Sequence, residues 1–388
     1  MGSGLSSDAP RTVGIRCPRC GAPLEITPES ILVVCKYCGY PYWTSQAYVY
    51  PIYIVPSYSE HASRFFESWL KTDKDMRKIA SRVVLKQVQT TYVPAYLADS
   101  YTSTDYYGKL RVRLEKRVTK KDSEGNTYTE IRRKSVTVTV DGHFEKEYQI
   151  NIVARRSVDK TIVDPILSHF REDYNNRYVT PQPLARADWS KIKGDVLSAE
   201  IPPKDAESYA RDETCDMLIS DVIDGMRRKA KKIAERRNPG WRATSADVLE
   251  KKIPCNIEKF QMSPLMLVPY IVALYDYGGK IYKAVFSGWD GMRVWGEEPI
   301  LPTQRLLYYT AGLTSTGLLA GLGSAILISA IKSGSDPLIG IGLLLVGLLV
   351  NGKFASLSIK GARIEKIDDK KKEKESASER LIEWLVKW

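Results

Sequence analysis

Apolar residues are spread unevenly along the chain, and the longest apolar run lies near the carboxyl end. Residues 306–331 contain no charged side chain over about 26 positions, and as a helix they would extend about 39 Å, enough to cross a bilayer. A second run, residues 337–350, would extend about 21 Å, or about 31 Å if it continued to Leu357 past the snorkelling Lys353. We therefore predict a transmembrane helical hairpin over residues 305–357, with two buried soluble helices as the alternative.

Glycines recur on both arms of this predicted hairpin, where they would let the two helices approach closely or let two copies of the chain associate as a homo-oligomer. They are Gly317, Gly321, Gly340 and Gly347. Both ends of a hairpin lie on one side of a membrane, and basic residues flank that side against Lys332 at the tip. They are Arg305, Lys353, Lys360 and Arg363. Because positive residues favour the cytoplasmic side, we predict an integral membrane protein with cytoplasmic N- and C-termini.

Alternating apolar and polar residues predict strands in the middle of the chain. Residues 109–118 alternate apolar side chains with charged ones, and residues 134–140 alternate valines with Ser and Thr. The polar residues 120–126 between them predict a turn, so the two segments should pair as a long hairpin. Its outward face is expected to be basic, either as an ordinary solvated face or as a phosphate- or lipid-binding stripe. The basic residues on it are Arg111, Arg113, Lys116, Arg117, Arg132 and Arg133.

Helical spacing of apolar residues predicts three helices in the same region, over residues 59–71, 162–174 and 205–237. The last is the longest, and Asn238-Pro239-Gly240 should end it. Its expected apolar positions are Tyr209, Cys215, Met217, Leu218, Val222, Ile223, Met226 and Ile233. Its final third is densely basic, which is typical of a solvated helix end.

An internal similarity links residues 93–109 with residues 268–280. In each segment an apolar strand leads through an Asp-Tyr pair to a Gly-Lys dipeptide that is expected to form a turn. We predict two related β units on either side of the long helix, with a chance likeness of composition as the alternative.

The chain ends with a charged segment and a short amphipathic pattern. Residues 358–388 are interpreted as a charged linker followed by a helix with Leu381, Trp384, Leu385 and Trp388 on one face. Trp384 and Trp388 are candidate membrane-interface residues, because tryptophan is enriched at the head-group level. Docking of this helix on the soluble body or on a partner is the alternative.

The formal net charge of +12 suits an anionic partner, either nucleic acid or an acidic lipid surface. The apolar content of 43% is sufficient for a packed core, so the body is not predicted to be disordered. The candidate residues for an anionic partner lie on the predicted β-hairpin and on the basic end of the long helix. They are Arg111, Arg113, Arg132, Arg133, Arg227, Arg228, Lys231 and Lys232.

Four of the six cysteines form two Cys-x2-Cys pairs separated by fourteen residues. The predicted metal ligands are Cys17, Cys20, Cys35 and Cys38. Four thiolates satisfy tetrahedral Zn²⁺ and leave no position for a reacting water, so the predicted zinc is structural, with iron or a redox dithiol as the alternatives. The remaining Cys215 and Cys255 are taken as lone thiols, and the overall usage predicts a reducing cytoplasm.

These residues, in this order, resemble a family of archaeal and bacterial membrane proteins with an amino-terminal zinc ribbon of the transcription-factor-IIB or primosomal-protein type. The likeness includes Cys-Pro-Arg-Cys-Gly-Ala-Pro-Leu at residues 17–24, Tyr-Val-Pro-Ala-Tyr at 92–96, and segments 163–167 and 267–270. The cysteine pairs are its only sharp motif. The resemblance implies this architecture and the zinc site, but no assigned reaction.

No recognised catalytic motif is present. His61, His143 and His169 do not form a metal-binding helix motif, and no phosphate-binding glycine loop or nucleophile elbow occurs. We predict a non-enzymatic, membrane-anchored zinc-ribbon docking protein whose partners are the bilayer and an unidentified cytoplasmic protein. The alternative is a membrane-tethered nucleic-acid binder.

The predicted fold class is multidomain α+β with a carboxyl-terminal transmembrane hairpin. We expect a disordered terminus at 1–14, a zinc ribbon at 15–46, and a cytoplasmic body at 47–304. The hairpin follows at 305–357, and the charged linker and tail helix at 358–388.

Overall fold

The computed structural model describes residues 15–27, 29–44, 50–121, 127–189, 192, 194–300, 302–333, 338–359 and 362–366. The fold is mixed α+β, with an 11-stranded sheet, a separate two-stranded sheet and five α-helices among these residues. The helices are α1 (Ala62–Thr72), α2 (Lys160–Asn175), α3 (Pro203–Arg237), α4 (Pro302–Ser333) and α5 (Leu338–Ile359).

The strands follow the chain in a largely antiparallel arrangement. The small sheet is β1 (Leu32–Val34) and β2 (Pro41–Trp43). The large sheet begins with β3 (Ile52–Ile54), β4 (Val84–Lys121), β5 (Thr127–Val153), β6 (Gln182–Pro183), β7 (Asp195–Val196) and β8 (Arg242–Lys252). It continues with β9 (Ile257–Met262), β10 (Leu265–Tyr277), β11 (Lys280–Ser287), β12 (Arg293–Pro299) and β13 (Ala362–Lys366).

Strand β4 is the axis of the large sheet. It has 38 residues, which at about 3.3 Å per residue is roughly 120 Å of strand. Strands β10, β9 and β8 pair with successive parts of it. Strand β5 pairs with it without a register shift, from Ala95 opposite Val153 to Lys121 opposite Thr127. The predicted β-hairpin is therefore confirmed, and it is much longer than the alternation alone indicated. We call residues 109–121 and 127–139 the arm.

The prediction of a turn at Gly108-Lys109 is wrong. Gly108 lies within β4, where a Cβ atom would stand 1.7 Å from the methyl carbon of Met226, so the glycine makes room for that side chain of α3. The corresponding Gly278 and Gly279 do form a turn, with φ of 64° and 76°. The two similar segments precede and follow the long helix in the chain and pair directly in one sheet, with Val93 opposite Val268.

Helix α3 confirms the predicted 205–237 helix, and Leu218, Val222 and Met226 are buried as expected, but the rest of its buried face differs from the expected one. One residue in four is buried against the large sheet, in the order Ala206, Ala210, Thr214, Leu218, Val222, Met226, Ala230 and Ala234, and the last five of these pack on the region of the arm. Tyr209 and Met217, which were expected to be apolar contacts, are exposed. Alanines at both ends of the buried face let the helix lie close to the strands there.

The other predicted helices are confirmed as α1 and α2, within a few residues at each end. Helix α1 packs Phe66 and Trp69 against Tyr275 and Phe286 of the sheet. The buried side of α2 includes Ile166 and packs with Val268 and Trp295.

Helices α4 and α5 are inserted between two neighbouring strands. Strand β12 leads into α4, α5 leads into β13, and the two strands pair antiparallel with Pro299 opposite Ala362. The chain therefore leaves and re-enters the sheet at one point. Residues 362–366 form a strand, so the prediction of a linker there is wrong. The predicted tail helix, with Trp384 and Trp388, and the predicted disordered terminus 1–14 lie outside the described residues.

One helix among the described residues, Tyr309–Ser333 within α4, is long and apolar enough to cross a membrane by length and composition. Only 11% of its most apolar window is buried, unlike a core helix. The apolar part of α5, Leu338–Gly352, is shorter and does not meet that length. The first arm of the predicted hairpin thus has the required character, and the spanning hairpin remains a prediction.

The two helices pack closely through glycines. A Cβ atom on Gly340 would lie 2.8 Å from the carbonyl oxygen of Gly323, and one on Gly347 would lie 3.2 Å from Cβ of Leu319. The expected contact through Gly317 and Gly321 is wrong, because a Cβ atom on either would meet no atom within 4 Å. The prediction of a homo-oligomer through this helix pair stays open.

Candidate metal centre

The two Cys-x2-Cys segments have the same backbone geometry. The amide N–H of Gly21 donates to the carbonyl of Cys17 at 2.8 Å, and that of Gly39 donates to the carbonyl of Cys35 at 2.8 Å. Both glycines have positive φ, 75° and 70°, a conformation that side-chain-bearing residues rarely adopt. The glycines therefore close two tight turns that present each cysteine pair to the other.

The four predicted ligands lie together. The Sγ atoms of Cys17 and Cys38 are 3.6 Å apart, and those of Cys20 and Cys35 are 3.7 Å apart. All four sulfur atoms lie within 4.8 Å of one another. A tetrahedral ion with sulfur ligands at about 2.3 Å would separate them by about 3.8 Å. The arrangement fits a closed tetrahedral metal site.

The thiols differ in their acidity. Burial, together with contacts to the neighbouring thiols, raises the pKa of Cys38 to about 12 despite an opposing backbone hydrogen bond. Burial also raises the pKa of Cys17, but backbone hydrogen bonds at Cys20 and Arg19 outweigh it and lower the pKa to about 7. A bound cation must therefore displace protons from part of this site.

The cysteine cluster is joined to the body through β1. Val33 packs with Cys17 and Cys35, whereas Leu32 and Val34, on the opposite face of the strand, belong to the core of the body. The backbone of Ala199 accepts from and donates to Leu32. Strand β1 thus forms part of both the ribbon and the main core, and the ribbon is not an independent module.

Trp189 of the body covers the second turn of the ribbon. A Cβ atom on Gly39 would lie 2.3 Å from the indole ring, and the indole N–H donates to the carbonyl of Lys36 at 3.3 Å. The sequence carries no local signal for this contact, because Trp189 lies far from the cysteines in the chain.

The arginines predicted for an anionic partner on the arm lie on both of its faces. Arg111, Arg113 and Arg133 share the face opposite α3, as predicted. The expectation that Arg132 and Lys116 share that outward face is wrong, because strand alternation places them with Leu114 on the α3 face. Ion pairs engage Arg113 with Asp247, Arg132 with Glu130, and Arg133 with Glu115.

The basic end of α3 lies beside the arm. Arg227 pairs with Asp224 at 3.1 Å, and Lys231 donates to the carbonyl of Thr244 at 3.0 Å. Arg228 and Lys232 are exposed. Two of the four candidate cations on this helix therefore make local contacts, and the other two are exposed to solvent.

Cys215 and Cys255 are not lone thiols, as they were expected to be, because they form a disulfide between α3 and the segment before β9. Disulfides are rare in reducing cytosol, apart from intracellular proteins of hyperthermophiles. The spacing of 40 residues contains no signal for this pairing, which depends on how α3 packs against the sheet.

A second polar cluster joins α2 to the turn between β11 and β12. His169 Nε2 lies 2.9 Å from an oxygen of Asp290 and 3.5 Å from one of Asp173. Asp290 also accepts from Ser287. Because the aspartate lies between the serine and the histidine, the histidine cannot take the serine proton as in a Ser-His-Asp triad. The cluster is a polar link between elements, brought together from distant segments that sequence reasoning did not connect.

No family model, curated protein or solved structure matches this chain. The resemblance to zinc-ribbon membrane proteins therefore stays a prediction, and the function is argued from geometry.

Proposed function

We propose that this protein is a non-catalytic docking protein anchored in a membrane by helices α4 and α5, with a structural Zn²⁺ held by its four clustered cysteines. The observation that carries the proposal is the exposure of large apolar side chains around both helices. Leucine and isoleucine side chains such as Leu318, Ile331, Leu338 and Leu349 are between 63% and 75% exposed. An apolar surface of this extent needs a lipid or protein environment.

The attachment of the helix pair supports anchoring. Both helix ends join paired strands at Pro299 and Ala362, so a bilayer holding the helices would leave the sheet on one side. The close contact between Gly323 and Gly340 is the kind of contact by which membrane helices associate. Helix α5 is the shorter arm, and lipid thinning or tilt accommodates such a difference at modest cost.

The orientation that we propose has the sheet and both termini in the cytoplasm. It is supported by the excess of Lys and Arg at the sheet end of the helices over the single Lys332 near the far end. The Cys215–Cys255 disulfide argues in the opposite direction. We give more weight to the charge distribution, because positive residues near membrane helices act directly on insertion.

Docking is favoured over catalysis by the chemistry of the two described clusters. Four thiolates would leave a bound zinc no open coordination position, and the His169 cluster has its carboxylate between the hydroxyl and the imidazole. The sheet is extended by the arm, and most outward side chains of the arm are charged or carry a hydroxyl group. This exposed surface is available to a partner.

Protease treatment of the full-length chain in sealed vesicles tests the proposal. We expect the chain to float with the vesicles after an alkaline wash, and protease to leave a protected fragment containing α4 and α5. Release of the intact chain by the wash, or the absence of a protected fragment, would overturn membrane anchoring. In vesicles whose cytoplasmic side faces outward, protease should cut the body without opening the vesicles. Cleavage of the body only after they are opened would reverse the proposed orientation.

A further inference from the structure

The outer face of the arm, opposite α3, is a polar surface with a regular arrangement of donors. Strand alternation places Lys109, Arg111, Arg113, Arg117 and Lys121 of β4 on this face, and all are exposed. Their partners across the ladder on β5 are mostly hydroxyl residues, with Lys109 opposite Thr139, Arg111 opposite Thr137 and Arg113 opposite Ser135. A column of cations therefore lies beside a column of hydroxyl groups. Both are groups with which proteins contact phosphate.

Internal ion pairs neutralise only part of this outer arm face. Glu115 on the same face forms an ion pair with Arg133, and Arg113 forms one with Asp247 of β8. Arg111, Arg117 and Lys121 make no ion pair within 4.0 Å among the described residues. The face thus keeps uncompensated positive charge along its length.

The cations of this face are spaced in multiples of the strand repeat. Side chains on one face of a strand recur about every 6.8 Å. Glu115 and Thr119 occupy two positions of the column, so the steps from Arg111 to Arg117 and from Arg117 to Lys121 are about 20 Å and about 14 Å. Positive charge distributed over this length suits an extended polyanion better than a single small anion. The described outer face carries no aromatic ring between residues 109 and 121 of β4 or 127 and 139 of β5, so it lacks the stacking surface that single strands use.

The face lies far along β4 from the point where the membrane helices leave the sheet. Strand β12 runs antiparallel to β4 through the intervening β11 and β10, so Pro299 and the start of α4 lie at the end of the sheet where β4 begins. Arg111 lies roughly 90 Å along β4 from Val84 at that end, at about 3.3 Å per residue. This separation favours a partner in the aqueous phase over the head groups around the helices.

We propose that the outer arm face binds the phosphate backbone of double-stranded nucleic acid without reading its sequence. This inference deepens the proposed docking function by naming the class of partner, with Arg111, Arg117 and Lys121 as the principal phosphate contacts. Binding without base contacts depends on charge and weakens steeply as salt rises.

Binding of the full-length protein, in uncharged detergent micelles, to a fluorescent DNA duplex of mixed sequence tests this inference across about 50 to 200 mM salt. We expect the triple variant Arg111→Ala/Arg117→Ala/Lys121→Ala to bind at least about tenfold more weakly and to lower the slope of log affinity against log salt by nearly three. The matched control Arg64→Ala/Lys71→Ala/Lys74→Ala removes three exposed cations at α1 and beyond, and should bind like the parent.

Equal affinity of parent and triple variant, equal loss in the control, or no binding at low salt would overturn the inference. Binding of the parent to anionic vesicles but not to duplex, lost in the triple variant, would also overturn it and assign the face to a second membrane. Because the assay is done in micelles, its failure leaves the membrane anchoring of α4 and α5 untouched.

Discussion

The indole ring of Trp189 lies directly over the α-carbon of Gly39, so the body of the protein closes on the second turn of the metal centre. Gly39→Ala should therefore destabilise the protein twice, through a strained left-handed backbone and through a clash with the ring. Gly21→Ala is a matched control, because Gly21 has φ of 75° and open space around its missing side chain. In zinc-loaded protein we expect a loss of about 1 kcal/mol for Gly21→Ala and about 1–3 kcal/mol more for Gly39→Ala. Equal losses in thermal unfolding would contradict the contact.

Metal removal should affect more than the ribbon. Leu32 and Val34 of β1 lie in the main core, so loss of the metal-bound fold would uncover apolar surface of the body. We expect a strong chelator to lower the unfolding temperature of the whole chain, and zinc to restore it. Circular dichroism dominated by the large sheet is the readout. An unchanged transition of that sheet after the metal is removed would show that the body folds independently of the centre.

Stability should depend on pH through His169. Burial acts to lower its pKa, but the hydrogen bond and charge of Asp290, with Asp173 and Glu172, outweigh burial and raise it. This contribution is complete below the unfolded-state pKa of about 6.5 and is lost as pH rises through the higher folded-state pKa. Denaturation at saturating zinc should thus show a decline on the alkaline side that His169→Gln reduces.

His143 provides the comparison for that experiment. Its pKa is also raised, by hydrogen bonds to Asp105 and Glu145, but the ring is half exposed on the sheet surface. Solvent screens such pairs, so His143→Gln should change the pH dependence less than His169→Gln does. A larger effect of His143→Gln than of His169→Gln would show that the pH dependence of stability comes from the surface histidine and not from the one on α2.

The Cys215–Cys255 disulfide should stabilise the body by closing a long loop. Its cysteines are 40 residues apart, for which the loss of unfolded-state entropy is worth about 4 kcal/mol at most. The variant Cys215→Ser/Cys255→Ser should unfold at a lower temperature under oxidising conditions, and reductant should affect the parent but not the variant. Identical unfolding of parent and variant would mean that the bond is not formed in solution.

The local signals in the sequence account for much of this architecture. The Cys-x2-Cys spacing identified all four cysteines of the cluster, and Asn238-Pro239-Gly240 predicted the end of α3 closely. Both rest on interactions between near neighbours. Alternation over residues 109–118 likewise identified the arm, because one face of it is covered by α3.

What could not be predicted depends on contacts between distant segments. In the sequence Gly108 resembles a turn residue, but in the fold it is needed because the side chain of Met226 occupies the space that a Cβ atom would fill. The pairing of Pro299 with Ala362 across two inserted helices, the Cys215–Cys255 bond and the buried alanines of α3 are likewise set by tertiary packing. Gly323, and not the predicted Gly321, makes the close contact, and the crossing point of two helices is not visible in either helix alone.

The most direct test of membrane anchoring compares the full-length chain with a variant in which an Asn-Gly turn joins Pro299 to Ala362 and replaces α4 and α5. Because β12 and β13 already pair, a two-residue turn can close them as an ordinary β-hairpin. In phase separation with a mild detergent, we predict that the full-length chain enters the detergent phase and that the bridged variant stays folded in the aqueous phase. A full-length chain that stays in the aqueous phase as a monodisperse protein would contradict the account.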